Sequence, residues 1–323
     1  MIHDSYGRPI YYLRISVTDR CNLRCRYCMP DKFKKLPHSE ILRYEEIAHI
    51  INIAASMGFY KIRLTGGEPL IRRNITLLIR HINQIPGIKD LSITTNGVIL
   101  AEMAKDLFDA GLRRINISLD TLNPEKYRYI THVDAFSYVW KGIERALEIG
   151  FSPVKINVVA LKGFNDDEIL DLARLTFDYP FSIRFIEYMP LSLETINHRR
   201  YFLPADAIRE KLTKMGKVQQ LPSASLDGPA KRYKISGSQG EIGLIAAISH
   251  PFCYRCNRIR LTSDGKLRPC LLSNKEQDIK TPLRKGASDA VIKSIIEKVI
   301  AHKPKGHNYI KFTSYRPMFR IGG

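Results

Sequence analysis

Long apolar segments are missing from this sequence of 323 residues. No run of eighteen apolar residues occurs, and this excludes a membrane-spanning helix. The segment Met1–Pro9 carries charges and a Gly-Arg-Pro turn in place of the apolar core of a secretion signal. Internal repeats and low-complexity tracts are also absent. We therefore expect a cytoplasmic protein without a membrane partner.

Acidic residues are scarce relative to basic ones: Asp and Glu number 32 against 51 Lys and Arg, a net charge of +19. This excess favours an anionic partner, but it leaves nucleic acid, a nucleotide and a membrane surface open. No basic block dominates, and no RNA-binding motif with interleaved aromatic residues occurs. A G-x-x-x-x-G-K-[ST] segment is absent too, so any phosphates must be held by side chains.

Short apolar segments alternate with amphipathic helical patterns between residues 10 and 190. The predicted strands are Tyr11–Val17, Tyr60–Thr65, Leu91–Thr95, Arg114–Leu119, Pro153–Val159 and Phe181–Tyr188. The predicted helices are Arg43–Ala55, Asn74–Gln84, Ala101–Asp109, Ser137–Glu148 and Asp166–Phe177. Six βα units indicate an α/β fold in which a parallel sheet curls into a partial (β/α)6 TIM-type barrel.

The pattern changes after about Pro190, where prolines and glycines separate short segments ahead of a helix near Asp289–Ala301. We interpret this part as a smaller C-terminal α+β module that packs against the barrel. The predicted boundary divides the chain into residues 1–220 and 221–323.

The predicted strands alternate polar and apolar residues, although parallel strands covered on both faces usually read as continuous apolar runs. In the second strand Ile62 and Leu64 share one face, while Lys61 and Arg63 share the other. The same parity places further polar residues on that face: Arg14, Ser16, Asn116, Ser118, Lys155, Asn157 and Arg184. Several enclosed cations are costly unless an anion lies among them, so we expect an enclosed anionic ligand. For any one cation, pairing with Glu68, Asp120 or Glu187 remains an alternative.

Only six cysteines occur, and all of them fall into two triplets. Cys21, Cys25 and Cys28 form C-x3-C-x2-C on the loop after the first predicted strand. Three thiolates so spaced can hold three irons of a [4Fe–4S] cluster and leave the fourth iron open to a small molecule. A structural zinc site wants four closed ligands, and a disulfide framework is typical of small secreted chains.

Cys253, Cys256 and Cys270 form a second triplet, C-x2-C-x13-C, which is again one ligand short of a closed site. Zinc with His250 as the fourth ligand remains an alternative here. Arg258 and Arg260 follow at once, and a purely structural site has no need of cations. A second cluster with an open iron beside arginines would be a substrate site.

The first cysteine loop, with Tyr27 before its last cysteine, resembles that of the radical S-adenosylmethionine (SAM) enzymes. The Gly66-Gly67-Glu68-Pro69 segment after the second strand strengthens this resemblance. Glycines at a strand end let the backbone approach a ligand closely, and Glu68 can accept a hydrogen bond from its ammonium group. The chain resembles the GTP 3′,8-cyclase family over essentially its whole length. The resemblance includes these segments: Leu13–Cys21, Cys256–Thr262, Arg316–Met318 and Ile321–Gly323.

The resemblance implies two [4Fe–4S] clusters and SAM as cofactors. It implies these SAM contacts: Tyr27, Gly67, Glu68, Ser118 and Met189. It implies these GTP contacts: Arg14, Lys61, Arg63, Thr94, Lys155, Arg184, Arg258 and Arg260. The implied catalytic residues are Arg14, Lys155, Arg258, Arg260 and, on a C-terminal tail that enters the active site, Gly322 and Gly323.

The implied activity converts GTP to (8S)-3′,8-cyclo-7,8-dihydroguanosine 5′-triphosphate, the first step of molybdenum cofactor biosynthesis. An electron would cleave SAM, the 5′-deoxyadenosyl radical would take hydrogen from C3′ of the ribose, and that carbon would attack C8 of guanine. Expected partners are a reductant such as flavodoxin or ferredoxin and a cyclic pyranopterin monophosphate synthase that receives the product. A homodimer is compatible with the family. The alternatives are a radical SAM enzyme acting on RNA and a zinc-containing nucleic-acid-binding protein.

Overall fold

Strands and helices alternate through the first 190 residues of the computed structural model, which describes residues 2–29, 33–191, 198–222, 228–307 and 316–322. The strands of this part are β1 (Ile2–His3), β2 (Pro9–Ile10), β3 (Tyr12–Ser16), β4 (Lys61–Thr65), β5 (Asp90–Thr95), β6 (Arg114–Ser118), β7 (Val154–Ala160) and β8 (Ser182–Glu187). The helices are α1 (Tyr44–Ser56), α2 (Ile75–Gln84), α3 (Leu100–Asp109), α4 (Pro124–Thr131), α5 (Phe136–Ile149) and α6 (Ile169–Asp178). The six predicted strands and five predicted helices are confirmed, while α4 was not predicted.

The later part of the chain contains shorter elements. Its helices are α7 (His198–Tyr201), α8 (Ala205–Leu212), α9 (Lys280–Arg284), α10 (Asp289–Ala301) and α11 (Met318–Ile321). Its strands are β9 (Val218–Gln220), β10 (Lys231–Ile235), β11 (Glu241–Ile245), β12 (Arg258–Leu261), β13 (Lys266–Arg268) and β14 (Gln277–Asp278). No helix in the described ranges is long and apolar enough to cross a membrane.

One sheet of twelve strands organises the molecule, in the order β14-β13-β12-β3-β4-β5-β6-β7-β8-β11-β10-β9. The six strands from β3 to β8 are parallel, as predicted for an α/β fold. β12 adds parallel to β3, and β11 adds parallel to β8, so eight neighbouring strands run in one direction. The remaining strands pair antiparallel outside them.

The C-terminal strands therefore extend both edges of the barrel sheet and do not form a sheet of their own. β9 and β10 lie on either side of the proposed boundary at residue 220, yet they pair with each other, Gln220 opposite Tyr233. The division into two domains stays a proposal. Its two parts share a single sheet.

The helices α1, α2, α3, α5 and α6 cover the apolar face of the sheet, because each of them carries one buried stripe. In α1 the predicted face of Ile47, Ile50, Ile51 and Ala54 is buried. The Glu46 carboxylate caps the start of this helix, since it accepts a hydrogen bond from the Arg43 backbone amide at 2.7 Å. Burying each of these isoleucine side chains stabilises the fold by about 1.5–3 kcal/mol. The opposite, polar face of the strands is left to line the interior.

The Glu187 carboxylate, at the end of β8, joins three separate segments of the chain. It accepts hydrogen bonds from the backbone amides of Ala205 at 2.8 Å, Ile248 at 2.7 Å and Ser249 at 2.9 Å. It is therefore a structural acceptor that ties α8 and the segment after β11 to the barrel.

We predict that Glu187→Gln lowers the free energy of unfolding by about 2 kcal/mol, because an amide NH2 group would face buried N–H donors. Urea unfolding measures this loss. Glu210→Gln, at an exposed position on α8, is the matched control and should change stability little. Equal stabilities for the two variants would contradict the assignment.

Candidate active site

Both cysteine triplets line one cavity in the interior of the parallel strands. The loop after β3 brings Cys21, Cys25 and Cys28, and the segments flanking β12 and β13 bring Cys253, Cys256 and Cys270. The first triplet lies at the carboxyl ends of the strands, where ligand sites in such parallel α/β sheets form. The second triplet lies towards the amino ends, because Cys253 and Cys256 precede β12, which runs parallel to β3. All six cysteines are free thiols. The structure thus brings together two groups that are more than two hundred residues apart in sequence.

The first cysteine loop is fastened along the end of α4. The backbone amide of Arg24 donates to the Thr131 carbonyl at 2.9 Å, and that of Arg26 donates to the Ile130 carbonyl at 3.0 Å. The amide of Leu23 donates to the Cys21 sulfur at 3.4 Å. These bonds fix the loop backbone while its thiols face the cavity.

Gly67 lies against the segment that leads into the first cysteine loop. Its amide donates to the Thr18 carbonyl at 2.8 Å, and the amide of Glu68 donates to the Arg20 carbonyl at 2.7 Å. A Cβ atom on Gly67 would lie 2.2 Å from the carbonyl oxygen of Arg20. Only glycine allows this approach, so one role of the Gly-Gly-Glu-Pro segment is to hold the cysteine loop in place.

Two buried carboxylates lie on the side of the first triplet. Burial raises the pKa of Glu68 to about 7, and the carboxylate accepts hydrogen bonds from the Leu70 amide, the Asn96 amide and the Thr95 hydroxyl. Burial likewise raises the pKa of Asp120 to about 6. Asp120 accepts a bond of 2.6 Å from the Tyr27 hydroxyl and one from a backbone amide of β7. Among the residues that the structure describes, these bonds and not ion pairs with the barrel cations occupy the two carboxylates.

The thiols of the two triplets differ in their electrostatic surroundings. Burial raises the pKa of Cys21 to about 11 and that of Cys28 to about 12, and it raises the pKa of Cys25 as well. Burial also acts on Cys256, but the positive charges of Arg258 and Lys303 outweigh it and lower the pKa to about 6. Iron bound to the first triplet would hold these buried thiols as thiolates, since metal ligation deprotonates them.

The donor sets fit two cubane clusters better than zinc. Each thiolate of a cubane binds a different iron, so the three sulfurs need not converge on one point. In the described part of the chain, no group of three His, Cys, Asp or Glu side chains is arranged around a single metal position. The structure also gives no support to His250 as a fourth zinc ligand, because His250 is exposed and is not part of the cavity wall that holds the cysteines.

Three arginines stand side by side on neighbouring strands next to the second triplet. Arg260 on β12 is level with Arg14 on β3, which is level with Arg63 on β4. All three line the cavity, as does Arg258. Burial and the neighbouring cations Arg63 and Arg258 lower the pKa of Arg14 to about 10. This arginine row, Arg260-Arg14-Arg63, concentrates positive charge where the sequence predicted an anionic ligand.

The C-terminal tail reaches this row. An Arg260 guanidinium nitrogen donates to the carbonyl of Gly322. Gly322 has φ +78°, and a Cβ atom there would lie 2.3 Å from Thr65 Oγ1. Gly322 is therefore inserted among β3, β4 and β12, whereas Gly323 lies outside the described residues.

Most of the other residues predicted for the site line the same cavity. These are Tyr27, Gly67, Glu68, Thr94, Ser118, Arg184 and Met189. Thr94 has a buried hydroxyl that finds no hydrogen-bond partner among the described residues. Lys61 and Lys155 are buried but lie outside the cavity wall. Lys61 pairs with Asp90 at 2.9 Å, and burial together with Arg184, Arg114 and Arg63 lowers the pKa of Lys155 to about 5.

Tyr12 and Lys303 are among the residues of the cavity wall that sequence reasoning missed. Tyr12 is level with Arg258 on one side and Lys61 on the other, and Lys61 Nζ lies 5.2 Å from its ring centroid. The signal for Tyr12 was available, because it has the same strand parity as Arg14. Lys303 follows α10 and carries no motif that could have marked it.

Comparison with known proteins defines the class first. Residues 15–176 match the model of the radical SAM superfamily, and residues 181–309 match the model described as Molybdenum Cofactor Synthesis C. Among solved structures, Streptococcus suis SuiB bound to S-adenosylmethionine aligns with a TM-score of 0.60. It is 16% identical, and the alignment covers 89% of this chain and 68% of that one, which shows a shared fold. The chain is thus a radical SAM protein.

Full-length relatives narrow the class. The GTP 3′,8-cyclase of Desulforamulus reducens is 50% identical over 323 residues, covering 99% of each chain. That of Moorella thermoacetica is 47% identical over 324 residues, covering 100% of each chain. The chain belongs to the GTP 3′,8-cyclase family.

We predict that Gly67→Ala lowers the iron content of the anaerobically reconstituted protein from about eight to about four per chain, because the added methyl group must displace the first cysteine loop. Iron analysis measures this. Gly163→Ala is the control: its φ is +70°, yet nothing lies near its Cβ position. It introduces backbone strain alone and should keep about eight irons. A Gly67→Ala protein with full iron content would refute the role given to this contact.

Proposed function

We propose that this chain catalyses the conversion of GTP to (8S)-3′,8-cyclo-7,8-dihydroguanosine 5′-triphosphate, the first step of molybdenum cofactor biosynthesis. Its cofactors are SAM and two [4Fe–4S] clusters, on Cys21, Cys25 and Cys28 and on Cys253, Cys256 and Cys270. The observation that carries the proposal is the arginine row, which lies in the same cavity as both cysteine triplets.

The electrostatic polarity of the cavity supports the placement of the two ligands. SAM carries a sulfonium and an ammonium group, and the side of the first triplet holds the carboxylates of Glu68 and Asp120. Glu68 Oε2 accepts one hydrogen bond, from the Asn96 amide, and a carboxylate oxygen can accept two. We assign SAM to this side, with these contacts: Tyr27, Gly67, Glu68, Ser118 and Met189.

The opposite side suits the triphosphate of GTP. Guanidinium groups bind phosphate oxygens through two parallel hydrogen bonds, and the arginine row offers several such groups without a P-loop. We assign GTP to these residues: Arg14, Arg63, Thr94, Arg184, Arg258 and Arg260. Lys61 and Lys155 complete the proposed GTP set, although they lie outside the cavity wall.

When bound, the first cluster and SAM supply the radical that removes a hydrogen atom from the substrate ribose. The chain's own residues bind and orient the reactants and keep water out. The arginine row anchors the triphosphate, which limits the positions that the ribose and base can take. Gly322, whose carbonyl accepts a hydrogen bond from Arg260, fills the space among β3, β4 and β12 beside the ribose and base. We propose that Gly323 extends this tail into the site. Arg14, Lys155, Arg258 and Arg260 form the proposed catalytic set.

The partners and the cellular location are further proposals, made in addition to the role in the molybdenum cofactor pathway. We propose an acidic reductant such as flavodoxin or ferredoxin, delivery of the product to a cyclic pyranopterin monophosphate synthase, and a cytoplasmic location. A homodimer is compatible with this assignment. The excess of basic residues supports an acidic electron donor, because complementary charge speeds encounter.

The proposed reaction is tested by anaerobic incubation of the reconstituted protein with GTP, SAM and dithionite. We expect 5′-deoxyadenosine and an isomer of GTP with unchanged mass, and GTP deuterated at C3′ should pass deuterium to the 5′-deoxyadenosine. Release of 5′-deoxyadenosine without any GTP isomer would overturn the function. Tight RNA binding that weakens steeply with salt, together with weak GTP binding, would favour the enzyme acting on RNA.

We predict that Arg260→Ala weakens GTP binding by about 30-fold or more, about 2 kcal/mol, because a buried cation is removed from the phosphate site. Calorimetric titration under anaerobic conditions measures the Kd for GTP. SAM binding should change little, because Arg260 lies on the other side of the cavity.

Arg174→Ala is the matched control, since Arg174 is exposed on α6 and pairs with Asp171 at 3.1 Å. It removes one positive charge without touching the cavity. If both variants bind GTP as the unmodified protein does, the arginine row is not the phosphate site.

A further inference from the structure

Two buried cations, Arg8 and Lys303, are hydrogen-bonded to the backbone of the segments that carry the second cysteine triplet. Arg8 is 5% exposed and Lys303 is 3% exposed. Neither has a role in the reaction as proposed above.

Arg8 bridges the N-terminal hairpin to the loop of Cys253. Its Nη1 donates to the Cys253 carbonyl at 2.7 Å and to the Lys305 carbonyl at 3.1 Å, and its Nη2 donates to the Pro304 carbonyl at 2.7 Å. The remaining guanidinium nitrogen, Nε, donates to Asp4 Oδ2 at 2.6 Å. All three nitrogens of the fork are therefore engaged, and Asp4 sets its direction.

Asp4 is itself held in place. Its Oδ1 accepts hydrogen bonds from the backbone amides of Tyr6 at 2.9 Å and Arg8 at 3.0 Å, which closes the turn between β1 and β2. The hairpin thus presents the Arg8 side chain as a rigid unit to the loop of Cys253.

Lys303 acts on the other two cysteines of the triplet. Its Nζ donates to the Arg258 carbonyl at 2.7 Å, two residues beyond Cys256. It also donates to the carbonyl of Pro269 at 2.8 Å, immediately before Cys270. One ammonium group therefore joins the two chain segments that bring Cys256 and Cys270 together.

The segment 303–305, just after α10, is common to both sets of bonds. Its Pro304 and Lys305 carbonyls accept hydrogen bonds from Arg8. Its Lys303 side chain donates to the two segments that carry Cys256 and Cys270. The three cysteines come from two loops separated by β12 and β13, so local secondary structure alone does not set the spacing of their sulfurs. A cubane cluster requires its thiolates to be placed accurately.

We propose that Arg8 and Lys303 are positioning residues that assemble the second cysteine triplet for its iron–sulfur cluster, with segment 303–305 as their common anchor. This rests on the proposed function in that the second triplet is taken to hold a cluster. Both cations act through hydrogen bonds to backbone carbonyls of the segments that carry the cysteines.

The test uses Arg8→Gln and Lys303→Met in the full chain, reconstituted anaerobically with iron and sulfide. We expect iron to fall from about eight to about four per chain in each variant. The retained cluster should be the first one, so its electron paramagnetic resonance signal should still change on addition of SAM. A general loss of stability would lower both clusters together and would not produce this selective loss.

Arg284→Gln is the matched control, because Arg284 also donates to a backbone carbonyl, that of Ile41 at 3.1 Å, and to a carboxylate, Glu46, at 2.7 Å. It lies away from the cysteines and should keep about eight irons. If Arg8→Gln does not fold, Asp4→Asn takes its place: it keeps the cation, removes its orienting carboxylate and should speed loss of the second cluster to a chelator at least threefold.

Variants at Arg8, Asp4 and Lys303 that keep about eight irons and lose them to the chelator no faster than the unmodified protein would overturn the proposal. None of these measurements uses GTP or turnover, so they test this proposal even if the cyclisation assay fails. An unmodified protein with only about four irons would overturn both this proposal and the second cluster of the proposed function.

Discussion

The enclosure of several guanidinium groups within one sheet is the constraint on which the rest of the structure depends. Arg260, Arg14 and Arg63 lie level on three adjacent parallel strands, so their charges repel one another at the spacing of neighbouring strands. Such a row is stable only if its groups are hydrogen-bonded or faced by an anion. The fold makes the row by bringing β12 alongside β3, and the same step places the second cysteine triplet at the cavity. The proposed phosphate site and the proposed second cluster site are thus consequences of one strand pairing.

This pairing marks the limit of what the sequence could predict. Strand parity correctly placed Arg14 and Arg63 on the interior face, because the alternation of side chains is a local property of a strand. It could not show that β12 and β11 would add to the two edges of the barrel, since the partners are more than fifty residues apart along the chain for β8 and β11 and far more for β3 and β12. The C-terminal part was therefore predicted as a smaller module that packs against the barrel.

Parity also leaves the depth of a side chain undetermined. Lys61 has the same parity as Arg63, but it lies two residues nearer the amino end of β4 and pairs with Asp90 behind the cavity wall. Lys155 lies behind the wall in the same way. How far each strand extends towards the cavity depends on the register between strands, which no single strand encodes. Tyr12 was missed because an aromatic side chain in a buried strand ordinarily predicts core packing and not a place in a cavity wall.

The polarity of the cavity follows from the same arrangement and explains how two charged ligands can share it. The first triplet, Glu68 and Asp120 follow strands β3, β4 and β6, whereas Arg258 and Arg260 enter only with β12. A triphosphate placed beside Glu68 would meet a carboxylate, and a sulfonium placed in the arginine row would meet several cations. Each ligand is therefore directed as much by repulsion from the wrong side as by attraction to the right one. Because the carboxylates lie on one side of the cavity and the arginines on the other, an exchange of the two ligands is disfavoured before any specific contact is made.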